Sequence, residues 1–219
     1  VFTANEFHQK FGDVRHTFTG VDYIDFYFVH WPDVNTPIAE TMDALLELKK
    51  QGKIRFIGVS NFDKPMIEEC LKTTMIDAVQ PPYSMVNESE KDLMKWCAEK
   101  GIASFSYGSL GSGILTGAIR EIPNWDPLDF RFTFYDFYKE PKFSKCMELL
   151  KTLDEISADN GHPLAQIALN WSTQKDYVGT ALCGVRNVEE ALENCAAFDW
   201  TLTAEEMAKI DAKLAELNI

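Results

Sequence analysis

The chain lacks long apolar runs and has few basic residues. None of its apolar stretches, in 219 residues, approaches the ~20 residues that a membrane-spanning helix needs, and no basic segment followed by an apolar core indicates a secretory signal. Lysine and arginine number 21 against 34 aspartate and glutamate, a formal net charge of -13. This balance argues against nucleic acid or a membrane surface as the main partner, while a local basic patch remains compatible with phosphate binding.

Cysteine is sparse and follows no pattern. The five cysteines are an odd number, widely spaced and without a CxxC pair. This usage argues against a disulfide framework and against a zinc site, and it predicts the reduced thiols of a cytoplasmic protein. No metal is therefore expected. The length and a hydrophobic content of 46% are ordinary for a single globular domain.

Strand-like and helix-like segments alternate along the chain. The predicted strands are residues 21–29, 54–60, 76–80, 102–108 and 177–185. The predicted helices are residues 37–53, 64–74, 89–101, 143–161, 163–174, 187–198 and 204–217. Repeated β–α units predict a parallel sheet with helices outside it, and both an open doubly wound sheet and a (β/α)8 barrel satisfy the pattern. In either layout the chemistry lies at the carboxyl ends of the strands.

Polar and aromatic residues follow the predicted strands. His30 is the only histidine at a predicted strand end, and it is either a structural histidine or an acid–base or hydrogen-bonding group in a pocket. Ser60 and Asn61 either begin the turn into the next helix or face a ligand. Gln80 needs hydrogen-bond partners if it is buried. Tyr107 offers either packing surface or a flat face for a heterocycle.

Two glycine-bearing segments are candidates for holding a phosphate. Residues 108–113, GSLGSG, do not form GxGxxG, which argues against a Rossmann site. Their small side chains nevertheless allow backbone N–H groups to approach a phosphate. Residues 184–194, GVRNVEEALEN, place Arg186 beside a helix start, where the guanidinium and the helix dipole favour the same anion. In barrels, the loops after the last two strands often bind phosphate.

Five blocks of the sequence together resemble the aldo-keto reductase superfamily. They are DYIDFYFVHWPD, GKIRFIGVSNFD, AVQPPYSMVN, GIASFSYGSLGSGILTG and GVRNVEEALENCAAFDW, in the family's order and spacing over about residues 20 to 219. The resemblance implies an α/β fold of the (β/α)8 TIM-barrel type, with about strands 4–8 and their helices present. It implies a single domain over residues 1–219, of which residues 1–20 match poorly.

The resemblance also implies the reaction and its participants. The expected function is NAD(P)H-dependent hydride transfer between nicotinamide and an aldehyde or ketone, or the reverse oxidation of an alcohol. NADP(H) is the expected cofactor, with NAD(H) possible, and the expected partner is a small carbonyl or alcohol substrate. The resemblance leaves the substrate's identity and the oligomeric state open.

Individual residues receive roles from the same resemblance. His30 matches the catalytic histidine that orients the substrate carbonyl, and Trp31 belongs to the substrate pocket. The residues matching those that hold the nicotinamide are Ser60, Asn61, Gln80 and Tyr107, the last by stacking on the ring. The pyrophosphate loop corresponds to Gly108, Ser109, Leu110, Gly111 and Gly113. The adenosine end corresponds to Gly184, Arg186, Asn187, Glu193 and Asn194. Arg186 matches a partner for a 2′-phosphate, and Glu190 lies where some members carry a basic residue or a glutamine.

The family's other catalytic residues, an Asp, a Tyr and a Lys, precede the histidine in the chain. Here 29 residues precede His30, and no tyrosine occurs before Tyr23. About three βα units, on the order of 90 residues, are therefore expected to be absent from this sequence. Three explanations stay open: a longer enzyme of which these residues are part, a truncated protein that folds as a partial barrel, and a catalytically impaired nicotinamide-binding or subunit-like relative.

Residues 118–142 are predicted to form a long loop folded over the cofactor. The aromatic residues of this segment are Trp125, Phe130, Phe132, Phe134, Tyr135, Phe137 and Tyr138. They follow no sustained helical period, and aromatics at this density need a surface to cover. The alternative is an apolar patch that mediates contacts between subunits.

Overall fold

The computed structural model describes residues 21–124, 126 and 128–219. The described chain divides into two compact units. The first contains the residues up to Pro81 together with Asp92–Phe105, and the second contains Pro82–Lys91 together with Ser106–Ile219. Residues 1–20, which were expected to match the family poorly, lie outside the described residues.

The first unit consists of alternating strands and helices. Its elements are β1 (Ile24–Val29), α1 (Ile38–Lys50), β2 (Ile54–Ser60), α2 (Lys64–Thr73), β3 (Ala78–Gln80), α3 (Lys91–Glu99) and β4 (Ala103–Ser106). Two end residues, Lys91 of α3 and Ser106 of β4, belong to the second unit. The strands pair in parallel, β1 with β2, β2 with β3 and β3 with β4. The predicted α/β class with a parallel sheet is confirmed, and β2 spans the predicted residues.

The sheet of the first unit has two different faces, because successive side chains of a strand point to opposite sides. On one face Ile57 and Val59 are buried beneath the helices. On the other face phenylalanine rings meet, and Phe26 lies 4.7 Å from Phe56 between ring centroids. Gly58 pairs with Phe28 in the register and leaves room for its ring, since a Cβ there would lie 2.3 Å from the ring carbon Cε1.

The second unit is largely helical. Its elements are α4 (Arg131–Phe134), α5 (Lys142–Asn160), α6 (Leu164–Thr173), β5 (Thr180–Ala181), α7 (Val188–Ala196) and α8 (Ala204–Leu217), with 3-10 turns at Gly111–Thr116 and Asp136–Tyr138. Helix α6 forms its centre and is buried from Leu164 to Ser172. Tyr83 stacks on Trp171 of this helix with ring centroids 5.7 Å apart.

Most predicted segments differ from the structure by a few residues at their ends, and two differ more. The strand expected over 177–185 is limited to Thr180–Ala181. Within the second unit it hydrogen-bonds with Ser106: the Ser106 hydroxyl donates to the Thr180 carbonyl at 3.2 Å, and the Leu182 amide donates to the Ser106 carbonyl at 2.7 Å. The predicted loop 118–142 contains the short helix α4 and one 3-10 turn. Within the described residues, no helix is long and apolar enough to cross a membrane.

Candidate active site

Five predicted site residues of the first unit lie where its parallel strands end. We call this group the strand-end cluster: His30, Trp31, Ser60, Asn61 and Gln80. His30 and Trp31 follow β1, Ser60 is the last residue of β2 and is followed by Asn61, and Gln80 is the last residue of β3. Ser60 and Gln80 are partners in the pairing of β2 with β3. Their position at the carboxyl ends of neighbouring strands agrees with the sequence prediction.

Side-chain hydrogen bonds join the three strand ends. The Ser60 hydroxyl, on a residue only 1% exposed, donates to the Gln80 carbonyl at 2.8 Å. The Asn61 side-chain amide donates to the His30 carbonyl at 2.9 Å and to the Ser60 hydroxyl at 3.2 Å. Asn61 has a left-handed backbone (φ 59), a conformation that asparagine adopts more readily than most residues. Ser60 and Asn61 therefore hold the strand ends in position as well as lining them.

The aromatic groups of the cluster are open to a ligand. The His30 residue is exposed, and Trp31 beside it is 57% exposed, with ring centroids 6.1 Å apart. The acid that follows them has a local role: Asp33 accepts hydrogen bonds from the Asn35 amide and the Thr36 hydroxyl, which lower its carboxyl pKa. The cluster thus presents an imidazole and an indole to solvent beside the end of β1, an arrangement able to offer a hydrogen bond and an apolar surface to one ligand.

The tyrosines of the first strand segment do not join His30. Tyr27 packs against the hydrophobic core on the helix side of the sheet, and burial raises its pKa. Tyr23 lies under the Arg55 guanidinium, 3.7 Å from its ring centroid. Neither position supplies a phenol to the histidine.

The second unit contains a cleft of about 740 Å³, which we call the arginine cleft. Its walls come from residues 108–113 after β4, which we call the glycine loop, and from the segment after β5. Helix α7 and residues 118–142, which we call the aromatic segment, also contribute. Its lining comprises Gly108, Ser109, Leu110, Ser112, Gly113, Thr116, Ala118, Ile119, Pro123, Arg131, Ala165, Leu182, Cys183, Gly184, Val185, Arg186, Glu190, Glu193 and Asn194.

Most of the predicted phosphate and adenosine residues meet in this cleft. Two of them, Gly111 and Asn187, do not line it, and neither does Tyr107, which was predicted to contact the nicotinamide. Gly111 is buried, and a Cβ there would lie 2.8 Å from Val86. The Asn187 side chain caps helix α7 by accepting from the Glu190 amide at 2.8 Å. Tyr107 pairs with Pro82, and its carbonyl accepts from the Tyr83 amide at 3.0 Å. The two glycine-bearing segments, distant in sequence, thus line one cavity.

The glycine loop owes its shape to left-handed residues. The φ angle is 69° at Gly108, 54° at Gly111, 51° at Ser112 and 102° at Gly113. The Gly111 amide donates to the Gly108 carbonyl at 2.8 Å, and the Gly113 amide donates to the Leu110 carbonyl at 3.0 Å. These two amides are used inside the loop, so the glycines act mainly by allowing the turn.

Both arginines of the cleft are paired with carboxylates. Hydrogen bonds from Arg186 lower the pKa of Glu190, and the same contacts raise the pKa of Arg186. Arg131 is paired with Asp129, and this contact lowers the pKa of Asp129 and raises the pKa of Arg131. Sequence analysis missed Arg131, because nothing in its spacing distinguishes it from other basic residues in the aromatic segment.

The segment 118–142 borders the cleft. Ile119, Pro123 and Arg131 line it, and the Tyr138 hydroxyl donates to the Ser112 carbonyl of the glycine loop at 3.0 Å. The pKa of Tyr107 is raised by burial and then by nearby Tyr135. Phe130 and Phe134 are 64% and 59% exposed, so part of the aromatic surface is uncovered. Trp125 lies outside the described residues.

Comparison with known proteins relates nearly the whole chain to one family. The model of the Aldo/keto reductase family matches residues 2–215. The chain is 32% identical over 195 residues to the aldo-keto reductase YhdN of Bacillus subtilis (strain 168), which covers 88% of this chain and 59% of that protein. It is 34% identical over 188 residues to the NADH-specific methylglyoxal reductase of Escherichia coli (strain K12), and this match covers 84% of this chain and 57% of that protein.

A solved structure gives the same relation in three dimensions. The glycerol dehydrogenase AKR11B4 from Gluconobacter oxydans superposes with a TM-score of 0.88 at 27% identity, covering 97% of this chain and 64% of that chain. The chain therefore spans less than two thirds of the length of these relatives.

Proposed function

Because the chain belongs to the aldo/keto reductase family, we propose that it serves hydride transfer between a nicotinamide cofactor, NADP(H) or NAD(H), and an aldehyde or ketone, or the reverse oxidation. The relatives are oxidoreductases by name. The family resemblance is consistent with the five strands being barrel strands four to eight. The expected compartment is the cytoplasm, in line with the five free cysteines.

The observation that carries this proposal is the arginine cleft. Its glycine loop and the Arg186 segment are the two regions that the family pattern assigns to the pyrophosphate and the adenosine end, and they line one cavity. Guanidinium groups bind phosphate oxygens in a fixed, bidentate geometry. The residues present therefore fit the phosphate-bearing part of a dinucleotide, with Arg131 added to the residues that the sequence predicted.

We assign the strand-end cluster to the nicotinamide end of the cofactor, where the hydride is transferred. Ser60, Asn61 and Gln80 are proposed to hold the nicotinamide carboxamide, and Tyr107 is proposed to stack on the ring. The cofactor, when bound, supplies or accepts the hydride. His30 donates a hydrogen bond to the carbonyl oxygen and so stabilises the charge that develops there. Trp31, largely exposed beside it, shields the apolar part of the substrate from water.

A second candidate is a nicotinamide-binding relative with impaired catalysis. It is favoured by the positions of Tyr23 and Tyr27, which lie under Arg55 and against the core and so leave His30 without a neighbouring phenol from its own strand segment. Catalysis by a positioned general acid is typically worth about 10²–10⁴-fold. Binding would persist in such a protein, whereas turnover would fall by that factor.

The test separates binding from turnover. Fluorescence titration with NADH and NADPH measures the cofactor site, and oxidation of the reduced cofactor by 4-nitrobenzaldehyde measures the reaction. His30→Gln should abolish turnover and leave the cofactor affinity within about twofold, since the imidazole is assigned to the substrate. Failure of both cofactors to bind would refute the proposed function. Cofactor binding by the unmodified chain, with turnover no faster than that of His30→Gln, would support the second candidate.

A further inference from the structure

Helix α7 lines the arginine cleft without being anchored by burial. Glu193 and Asn194, near its end, belong to the cleft lining. Every residue of α7 keeps part of its surface exposed. Helices in proteins are usually held by packing of an apolar face. The position of these two cleft residues therefore depends strongly on the hydrogen bonds that reach α7 from neighbouring elements.

Gln166 of helix α6 makes such a bond. Its residue is only 7% exposed. The side-chain amide nitrogen donates to the Glu193 carbonyl at 2.9 Å, and the side-chain oxygen accepts from the Trp200 indole at 3.0 Å. Trp200 is itself stacked on His162, with ring centroids 3.7 Å apart. Because an indole N–H can only donate, it fixes the amide of Gln166 with its NH2 group towards α7.

The Glu193 carbonyl is open to this bond because the helix tightens at its end. The Ala197 amide, four residues after Glu193, donates instead to the Asn194 carbonyl at 3.2 Å. The next two amides also bond to carbonyls three residues earlier. Carbonyls at the end of a helix need partners from outside it. Gln166 supplies that partner to the turn that carries Glu193 and Asn194.

We propose that Gln166 is a positioning residue for the adenosine end of the cofactor. Through the Glu193 carbonyl it holds the last turn of α7, so that the Glu193 and Asn194 side chains line the cleft. Gln166 is not itself among the lining residues, so it acts through α7. The inference rests on the proposed function, since it needs a nicotinamide dinucleotide in the cleft.

Helix α6 also provides a matched control. Asn170 lies one turn after Gln166 and is 2% exposed. Its side-chain amide donates to the carbonyls of Ala197 and Trp200 at 2.9 and 2.8 Å, and its oxygen accepts from the Leu202 amide at 3.1 Å. These contacts hold the connection between α7 and α8, and none of the three partners lines the cleft. Gln166→Met and Asn170→Leu therefore each remove a buried amide at similar volume, but only the first frees a cleft residue.

The experiment compares a whole cofactor with its adenosine end. Fluorescence titration of the full chain measures NADH, and displacement of NADH measures AMP. Gln166→Met should weaken both by the same factor, about three- to tenfold, the effect of losing one buried hydrogen bond. The factor should be equal because AMP and NADH share only the contacts that the variant disturbs. Circular dichroism verifies that each variant is folded.

The control separates positioning from general stability. Asn170→Leu should lower the melting temperature at least as far as Gln166→Met, since it removes more hydrogen bonds. It should leave the AMP affinity within about twofold, because the turn with Glu193 keeps its partner. Gln166→Glu keeps an acceptor for Trp200 and removes the donor to Glu193, so it should weaken AMP like Gln166→Met. It serves as the test if Gln166→Met does not fold.

Three results would overturn the inference and leave the proposed function intact. The first is a folded Gln166 variant that binds AMP as tightly as the unmodified chain. The second is an equal loss of AMP affinity in Asn170→Leu, or a larger loss for NADH than for AMP in Gln166→Met, since either would follow from general loosening. The third is failure of AMP to displace NADH from the unmodified chain. If neither NADH nor NADPH binds that chain, the proposed function and the inference are overturned together.

Discussion

Gly58 gives the phenylalanine face of the first unit its close packing, and its replacement by alanine tests that packing. The backbone at Gly58 is not left-handed, so alanine meets only a steric obstacle. A Cβ would lie 2.3, 2.4 and 2.9 Å from three carbons of the Phe28 ring. Ordinary carbon–carbon contact is about 3.5–4.0 Å, so ring and methyl group must separate by about 1.2 Å or more. Phe105, with its centroid 5.5 Å from that of Phe28, lies beside the ring that has to move.

The expected cost follows from these distances. Overpacking costs about 1–3 kcal/mol, and the better strand preference of alanine returns at most about 1 kcal/mol. The net effect of Gly58→Ala should be a loss of about 1–2 kcal/mol in the free energy of unfolding. For a chain of this size that corresponds to a fall of roughly 2–8 °C in melting temperature. Urea unfolding followed by circular dichroism measures it.

The control is Gly58→Ala in a protein that lacks the Phe28 ring. In a Phe28→Ala background the obstacle is absent, so Gly58→Ala should become neutral or stabilise by up to about 1 kcal/mol. The sign should therefore reverse between the two backgrounds. An equal cost in both would refute the steric account and would mean that Gly58 is needed for its backbone rather than for the space it leaves.

Further predictions concern thiols, the aromatic segment and the strand-end cluster. Ellman's reagent at about pH 8 should modify exposed Cys195 in the folded chain, whereas Cys70, whose pKa burial raises to about 11, should react only on unfolding. This folded pKa lies above the ordinary 9.0, so the contribution of Cys70 to the free energy of unfolding is full below pH 9 and is lost as the pH rises through about 11. In Cys70→Ala the free energy of unfolding should therefore fall less steeply over this pH range. Saturating NADPH should slow proteolysis within residues 118–142, and unchanged cutting would count against a lid. Asn61→Ala should destabilise more than Asn61→Gly in thermal melts, because glycine keeps the left-handed backbone at φ 59 while both lose the bond to the His30 carbonyl; equal losses would exclude a backbone contribution. A protein of these 219 residues should reduce 4-nitrobenzaldehyde about 10²–10⁴-fold more slowly than a full-length relative with its positioned acid, and robust turnover would contradict this.

Several features followed from local sequence alone. The alternation of strands and amphipathic helices predicted the α/β class, and β2 and α8 have the predicted bounds. Helix starts carry readable signals, such as Thr203 with Glu206 in a capping box before α8. Five blocks in family order indicated the family that the comparisons then showed. Each of these signals is a local pattern of neighbouring residues, so it can be recognised in the sequence without knowing how the chain packs.

The composition of the arginine cleft was only partly predictable. The glycine loop and the Arg186 segment were expected to bind phosphate, and both line the cleft. Arg131 was not expected, and Asn187, expected to contact the cofactor, has its side chain in the cap of α7. The cofactor roles of all these residues remain predictions, because they depend on a ligand as well as on the fold.

The sequence by itself determined the family, the order of strands and helices, and the polar residues that end the strands, because hydrophobic periodicity, caps and motif order are written in neighbouring positions. Tertiary structure alone decided which charges meet in the arginine cleft and how far β5 extends. The Arg186–Glu190 pair illustrates the difference: both residues were visible in the sequence, but only the folded turn at the start of α7 aims the carboxylate at the guanidinium. Pairing between side chains depends on backbone direction and rotamer, and those are set by packing against distant parts of the chain.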